Sequence, residues 1–209
     1  MKLYDCQMAP NPRRARIFIA EKGLDIPKQE VNIMKGENLG EDYLRVNPWG
    51  MLPSLKLDDG TVIPEAPCIF RYLESMHPEP NLLGEDPKES ASIEAWERFA
   101  EMSGMQAMGE AFRNQTAAFA DRAMPGFSGV PLIPELVERG KKRAAYFYDQ
   151  MERRIGKSEY LGSHRFTAAD ITALCVVDFG SAAGLGIPEG NENTKRWYKV
   201  VSTRPSAAA

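Results

Sequence analysis

The chain has 209 residues, with 26 basic against 29 acidic side chains and a formal net charge of −3. That length holds one large or two small cores, and the near-balance of charge excludes the basic footprint of a nucleic-acid-binding protein. No apolar run approaches the ~20 residues that a membrane helix needs, and the opening Met1-Lys2-Leu3-Tyr4-Asp5 lacks the apolar centre of a signal peptide.

Lys2 to Cys6 reads as a short buried strand. Arg13 to Lys22 reads as a helix with Asn11 as its N-cap, Pro12 at its first position and Gly23 as its stop. Lys28 to Met34 alternates, with Val31 and Ile33 on one face, which predicts a strand. Two strands joined through one helix make a right-handed βαβ unit. A short helix over Glu41 to Val46 follows, then a hairpin from Leu55 to Ile63 around Asp58-Asp59-Gly60, where glycine tolerates a positive φ. Pro67 to Met76 is a helix with proline in its first turn, where the missing N–H is harmless. The order β-α-β-α-β-β-α is the thioredoxin-like arrangement.

His77 to Lys88 carries Pro78, Pro80 and Pro87 and reads as a linker. Beyond it the periodicity is helical only. One extended helix is expected from Glu89 to about Phe119, then a Gly/Pro-rich loop from Ala120 to Pro134. Glu135 to Ile155, Ala169 to about Ala182 and Glu192 to Thr203 are further helices. Thr167 and Asp170 have capping-box spacing, and Phe166 is placed to staple against Ile171. Ala207 to Ala209 form a small tail. The expected architecture is an α+β thioredoxin-like domain over residues 1–77, a linker over 78–88 and an all-α domain over 89–209.

Cys6, Cys68 and Cys175 are widely spaced and form no Cys-x-x-Cys, so neither a structural disulfide nor a zinc site is expected. Cys68 and Cys175 lie in apolar helical contexts and are assigned to the core. His77 and His164 are assigned to the surface beside loops, and two imidazoles make a transition-metal site unexpected. A reduced, cytoplasmic, soluble protein follows.

The stretch from Asn47 to Leu73, NPWGMLPSLKLDDGTVIPEAPCIFRYL, carries the chemistry. Met51-Leu52-Pro53 offers backbone groups to an extended, peptide-like ligand, as an added strand would use them. Glu65 and Ala66 sit at a helix N-terminus, whose N–H groups favour a ligand carboxylate, while the Glu65 carboxylate can receive an ammonium. A ligand with an α-amino acid end and a peptide backbone fits that description.

This segment resembles the glutathione-binding part of the cytosolic glutathione transferases, which read Asn-Pro-x-Gly-x-Val-Pro, then Asp-Gly, then Glu-Ser opening a helix. Tyr4 to Gly23 resembles their first strand and helix, and Phe166 to Ile171 resembles the helix-start motif of their C-terminal domain, so the likeness spans nearly the whole chain. It implies a homodimeric transferase that adds the glutathione thiolate to a hydrophobic electrophile, with glutathione as co-substrate and no metal, nucleic acid or membrane partner. It implies a cis Leu52-Pro53 bond, with the Leu52 N–H and C=O on the cysteinyl part of glutathione. The binding residues it suggests are Lys35, Asn38, Met51, Leu52, Pro53, Glu65 and Ala66, with the electrophile against the Met108–Phe127 region. Arg113 and Asn114, in the long helix next to the Gly/Pro loop, are added as a pair placed to face the thiol, against a competing reading as an ordinary solvated polar pair. Trp49 would anchor a partner subunit, against a competing account of intramolecular packing.

Two departures matter. Glu-Ser is Glu65-Ala66 here, which removes a hydrogen bond to a charged group worth about 1.5–3 kcal/mol. Aligning Arg13-Arg14 with the Arg-Arg of plant and bacterial classes puts Ala9 where their catalytic serine sits. The pattern is closer to an atypical bacterial and fungal group that relies on a helix dipole and an ordered water. Activation is therefore expected from the first helix's N-terminus, through the Arg13 and Arg14 N–H groups, Asn11 and a water held by Asn11 or Asn114. Two rivals stand beside this reading. One is a non-catalytic glutathione- or ligand-binding protein, favoured by Ala9 and Ala66; the other is a disulfide reductase using Cys6. Tyr4 is assigned to strand packing.

Overall fold

The computed structural model describes every residue from Met1 to Ala209. Four short strands, β1 (Lys2–Asp5), β2 (Lys28–Glu30), β3 (Ser54–Lys56) and β4 (Val62–Pro64), form one sheet in the order β2-β1-β3-β4. β1 pairs parallel with β2, Leu3 opposite Lys28, and antiparallel with β3, Leu3 opposite Leu55. A parallel pair needs a crossover, supplied here by α1 (Pro10–Glu21). α2 (Glu41–Leu44) and α3 (Ala66–Met76) complete the thioredoxin-like unit.

Side chains alternate across β1, as a strand requires. Leu3 joins Ile17, Phe18, Leu55, Ile69 and Phe70 in the main core, where Phe18 stacks on Phe70 at 4.4 Å. Tyr4 and Cys6 face the other way, into a small cluster with Val31, Tyr43 and Leu52. This second cluster packs α2 beneath the Leu52-Pro53 edge.

Two boundaries differ from expectation for local reasons. β2 ends at Glu30 rather than Met34, because Asn32 turns the chain: its Oδ1 accepts the Lys35 N–H at 3.0 Å, and its own N–H donates to Glu37 at 2.7 Å. α1 begins at Pro10 with Ala9 as the N-cap. Asn11 therefore lies inside the first turn and is not the cap.

The C-terminal half is all helical. α4 (Pro87–Phe99) is capped by Asp86, whose carboxylate accepts the Lys88 and Glu89 N–H groups. A π-helical turn, Ala100–Met105, carries it without a break into α5 (Gln106–Gln115), so the expected extended helix ends at Gln115. α6 (Pro134–Ile155) crosses α5 so closely that a Cβ on Gly140 would lie 2.5 Å from the Ala107 carbonyl. α7 (Ala168–Ala182) is buried on nearly every side, and α8 (Glu192–Ser202) closes the bundle.

The expected capping box opens α7. Asp170, fully buried, accepts the Thr167 N–H at 3.1 Å, the Leu161 N–H at 3.0 Å and the Trp197 indole N–H at 2.9 Å. One carboxylate thus ties α7 to α8 and to the loop before it. No helix is long and apolar enough to cross a membrane.

The halves meet where α1 packs on α7. Arg13 reaches Asp178 at 2.5 Å and Arg14 reaches the Thr172 hydroxyl at 3.1 Å. The alanine tail is docked: the Ala207 carbonyl accepts from Arg13 at 2.9 Å, and Arg204 holds Glu21 through two hydrogen bonds at 2.8 and 2.7 Å. Cys68 corrects its core assignment, being exposed on α3, whereas Cys175 is buried.

Candidate functional site

The edge at Met51 to Pro53 is braced from behind. The Met51 carbonyl accepts from the Tyr43 hydroxyl at 2.5 Å and from the Asn47 amide at 2.9 Å, and both donors also contact the Ser54 hydroxyl, at 3.0 and 3.1 Å. Burial pushes the Tyr43 phenol up to about 12, so it stays a donor. The Leu52-Pro53 bond is cis, as the resemblance implied. The Leu52 N–H and carbonyl take no partner within the chain, which leaves both to a strand-like ligand.

Glu65, the N-cap of α3, has φ 68 and is the only non-glycine residue with a positive φ. Such a backbone state costs on the order of 1–3 kcal/mol and persists where the surroundings impose it. The Glu65 carboxylate makes no hydrogen bond or ion pair of its own. Burial raises its pKa, Glu101 adds to the rise, and Arg14 and Arg98 pull it back. Beside it the Ala66 and Cys68 N–H groups lead out of the helix unpaired, while Pro67 has none. An unpaired carboxylate beside two unpaired donors is a mould for a zwitterion.

The N-terminus of α1 offers fewer donors than its length suggests. Pro10 and Pro12 carry no N–H, the Arg13 N–H returns to the Ala9 carbonyl at 3.3 Å, and the Arg14 N–H lies within the helix ladder. The expected Arg13 and Arg14 donors are therefore spent, which leaves the Asn11 N–H. The Asn11 side chain adds to it. Its Oδ1 accepts from Arg14 at 3.1 Å, which fixes the amide orientation and turns Nδ2 outward. Arg14 is itself buried and locked by Glu101 at 2.5 Å and Glu97 at 3.1 Å. Asn11 and Glu65 thus share one charged cluster, through Arg14 and Glu101.

Asn38 is buried, and its Nδ2 donates to the Gly50 carbonyl at 2.8 Å, bracing the same edge; its Oδ1 has no partner. Lys35 stands on the exposed loop turned by Asn32. Asn114 does not fit the role of water-holder: its Nδ2 donates to the Glu110 carbonyl at 2.9 Å and its Oδ1 accepts the Ile133 N–H at 2.8 Å. It pins the loop before α6 to α5. Arg113 donates to the Arg122 carbonyl at 2.7 Å and stacks on Phe119 at 4.4 Å. Met108 is fully buried in the bundle, so only the later part of the expected electrophile wall, Phe119, Met124 and Phe127, reaches the junction of the halves.

Comparison with known proteins matches residues 9–76 to the glutathione S-transferase N-terminal domain and residues 130–205 to the glutathione S-transferase C-terminal domain. The chain belongs to the glutathione S-transferase superfamily. It is similar to glutathione S-transferase 2 of Saccharomyces cerevisiae, 29% identical over 211 residues that cover 99% of this chain and 87% of the relative. Among solved structures it is similar to a glutathione S-transferase domain-containing protein of Marinobacter aquaeolei, with 33% identity, TM-score 0.90 and 99% of each chain covered. It is likewise similar to Gtt2 from Saccharomyces cerevisiae, with 28% identity, TM-score 0.92 and coverage of 100% of this chain and 99% of the other.

Reasoning from the sequence missed Tyr43, Ser54 and the Arg14 side chain, of which it had used only the backbone N–H. The first two stand beside the Asn-Pro-x-Gly and Leu-Pro motifs, and that proximity was their only signal. Cys6 is buried at the end of β1, and burial pushes its thiol up, the reverse of what an activated nucleophile needs. The geometry thus disfavours the reductase reading.

Proposed function

We propose that this transferase-family protein conjugates glutathione to hydrophobic electrophiles. The observation that carries the reading is Glu65: a half-buried, unpaired carboxylate on a strained backbone, beside the unpaired donors of α3. The γ-glutamyl ammonium goes to Glu65 and its carboxylate to the Ala66 and Cys68 N–H groups. The cysteinyl backbone runs along Leu52, and the glycyl end falls toward Lys35 and Asn38. Residues 1–77 then form the glutathione-binding unit and 89–209 the unit that holds the electrophile.

A free thiol has a pKa of ~8.5, so a drop of ~1.5–2 pH units is needed near neutrality, or about 2–3 kcal/mol of preference for the thiolate. The Asn11 N–H, its Nδ2 and the positive end of α1 favour the anion, with a water on Asn11 completing its shell. The thiol proton leaves to solvent. The sulfur lone pair forms the C–S bond as the bond from carbon to the leaving group breaks, and the leaving group departs with that bond's electron pair. No side chain has to act as a base.

The same reading makes the protein a cytoplasmic homodimer, with exposed Trp49 as a subunit anchor. The rival of a binding protein without turnover draws on Ala9, which stands at the N-cap of α1 with no hydroxyl to offer. Calorimetric titration with glutathione, run beside a rate assay with chlorodinitrobenzene, separates them. Binding with turnover is the expected result; tight binding with no rate above buffer would favour the rival.

A further inference from the structure

Four glycines stand inside the helices, and three are explained by what surrounds them. A Cβ on Gly104 would lie 2.6 Å from Val176, one on Gly140 2.5 Å from the Ala107 carbonyl, and one on Gly180 2.7 Å from the Leu185 carbonyl. Gly109, in the middle of α5, differs. A Cβ there would meet nothing within 4 Å, and its φ is not positive. Glycine destabilises a helix interior relative to alanine, and neither packing nor backbone conformation requires it at this position.

The side of α5 that carries Gly109 faces the thioredoxin-like half. Ala107 and Ala111 pack on Gly140 of α6, Met108 packs on Gly180 of α7, and Glu110 turns outward to Arg139 at 2.8 Å. Residues four apart share a face, so Gly109 lies in line with Met105 and Arg113. Arg113 donates to the Arg122 carbonyl at 2.7 Å, and Arg122 reaches the Ile33 carbonyl of the other half at 2.9 Å. Toward the start of the same long helix, Glu101 holds Arg14 at 2.5 Å, and Arg14 holds the Asn11 amide at 3.1 Å. Gly109 therefore lies between two points where the helical half touches the glutathione unit. Met105 is buried in the core on one side of it, and Arg113 is stacked on Phe119 on the other. The open stretch is a notch about one helical turn to either side of Gly109. Half-buried Phe112 rims it and packs edge-on against Phe119 and Phe179, at 5.8 and 5.3 Å.

We propose that Gly109 sets the size of the second substrate: its bare backbone leaves a notch opposite the thiol that takes a flat, apolar aromatic electrophile. This rests on the transferase reading above and adds the class of the electrophile. Glycine lets the backbone approach a ligand closely, and a ring seated there meets the Phe112 ring beside it.

The test measures, by calorimetric titration, the affinity for S-methylglutathione and S-(naphthylmethyl)glutathione in the parent protein, Gly109→Ala and Gly109→Leu. Gly109→Leu should weaken binding of the naphthylmethyl compound about ten-fold or more, the scale of an overpacked contact, and that of the methyl compound far less. Gly109→Ala should fall between. Because the new side chains enter open space and favour the helix, the alanine variant should melt about 2–4 °C higher than the parent and the leucine variant no lower. An equal change in both affinities, or none, overturns the proposal. So does a lowered melting temperature in Gly109→Ala, which would mean that the position is packed. Turnover is read separately, with chlorodinitronaphthalene against chlorodinitrobenzene. In each reaction the sulfur forms the C–S bond, chloride leaves with the C–Cl electron pair, and the thiol proton goes to buffer. The kcat/KM ratio of the larger compound to the smaller should fall about ten-fold in Gly109→Leu, and an unchanged ratio overturns the proposal as well. If neither compound turns over in the parent protein, the transferase reading fails by itself, and the two affinities decide the notch.

Discussion

Glu65 carries opposing demands in the free protein: it is half-buried, close to Glu101, and lacks a bonded cation. Between the ordinary glutamate pKa and its raised value, the folded state holds a proton that the unfolded chain has released. Free-protein stability from this group therefore falls as pH rises through that window. Glu65→Gln removes the penalty, so the melting temperature should not drop, while the glutathione Kd should rise at least several-fold at neutral pH. Equal affinity in the two proteins, by titration, would sink the assignment. Because the ammonium needs the ionised form, affinity in the parent protein should also weaken on acidification, at a pH above the ordinary glutamate range. Ala66 behaves differently from what its motif suggests. It is the first helical residue, with Glu65 at the cap, and its side chain is buried. Ala66→Ser therefore gains no capping bond, and any improvement should appear in glutathione affinity rather than in melting temperature.

At the scale of elements, α7 is held by Asp170, which accepts from three separate segments of chain. Asp170→Ala strands those donors in the core and should cost about 3–5 kcal/mol in urea unfolding; a loss below ~1 kcal/mol would show that the box is ornamental. This element was legible beforehand, because Thr167 and Asp170 stand at a spacing whose meaning is local. The Leu-Pro edge and the acidic helix start were legible for the same reason. The start of α1 was not. Asn11 has the chemistry of a cap, but its oxygen is claimed by Arg14, and Arg14 is placed by Glu97 and Glu101 from far along the chain. Asn114 misled in the same way, since its partner Ile133 lies across a loop. Polar side chains whose partners are distant in sequence show no pattern to read.

Across the whole molecule, the helical half leans on the glutathione edge through the loop after α5. Gly126 has φ +80, and a Cβ there would meet the Trp49 carbonyl at 2.6 Å. Gly126→Ala should lift that loop from the Trp49–Met51 segment, lowering stability by about 1–3 kcal/mol and weakening glutathione binding. Unchanged melting and affinity would mean that the contact does not brace the site. The central claim, that the α1 N-terminus and Asn11 favour the thiolate without a side-chain base, is tested most directly by ultraviolet titration of enzyme-bound glutathione in the parent protein, Asn11→Ala and Cys6→Ala. The account expects the bound thiol to titrate ~1.5–2 pH units below the free one, to move back up in Asn11→Ala and to stay low in Cys6→Ala. A thiol unshifted in the parent protein, or one restored to its free value by Cys6→Ala and untouched by Asn11→Ala, would contradict it.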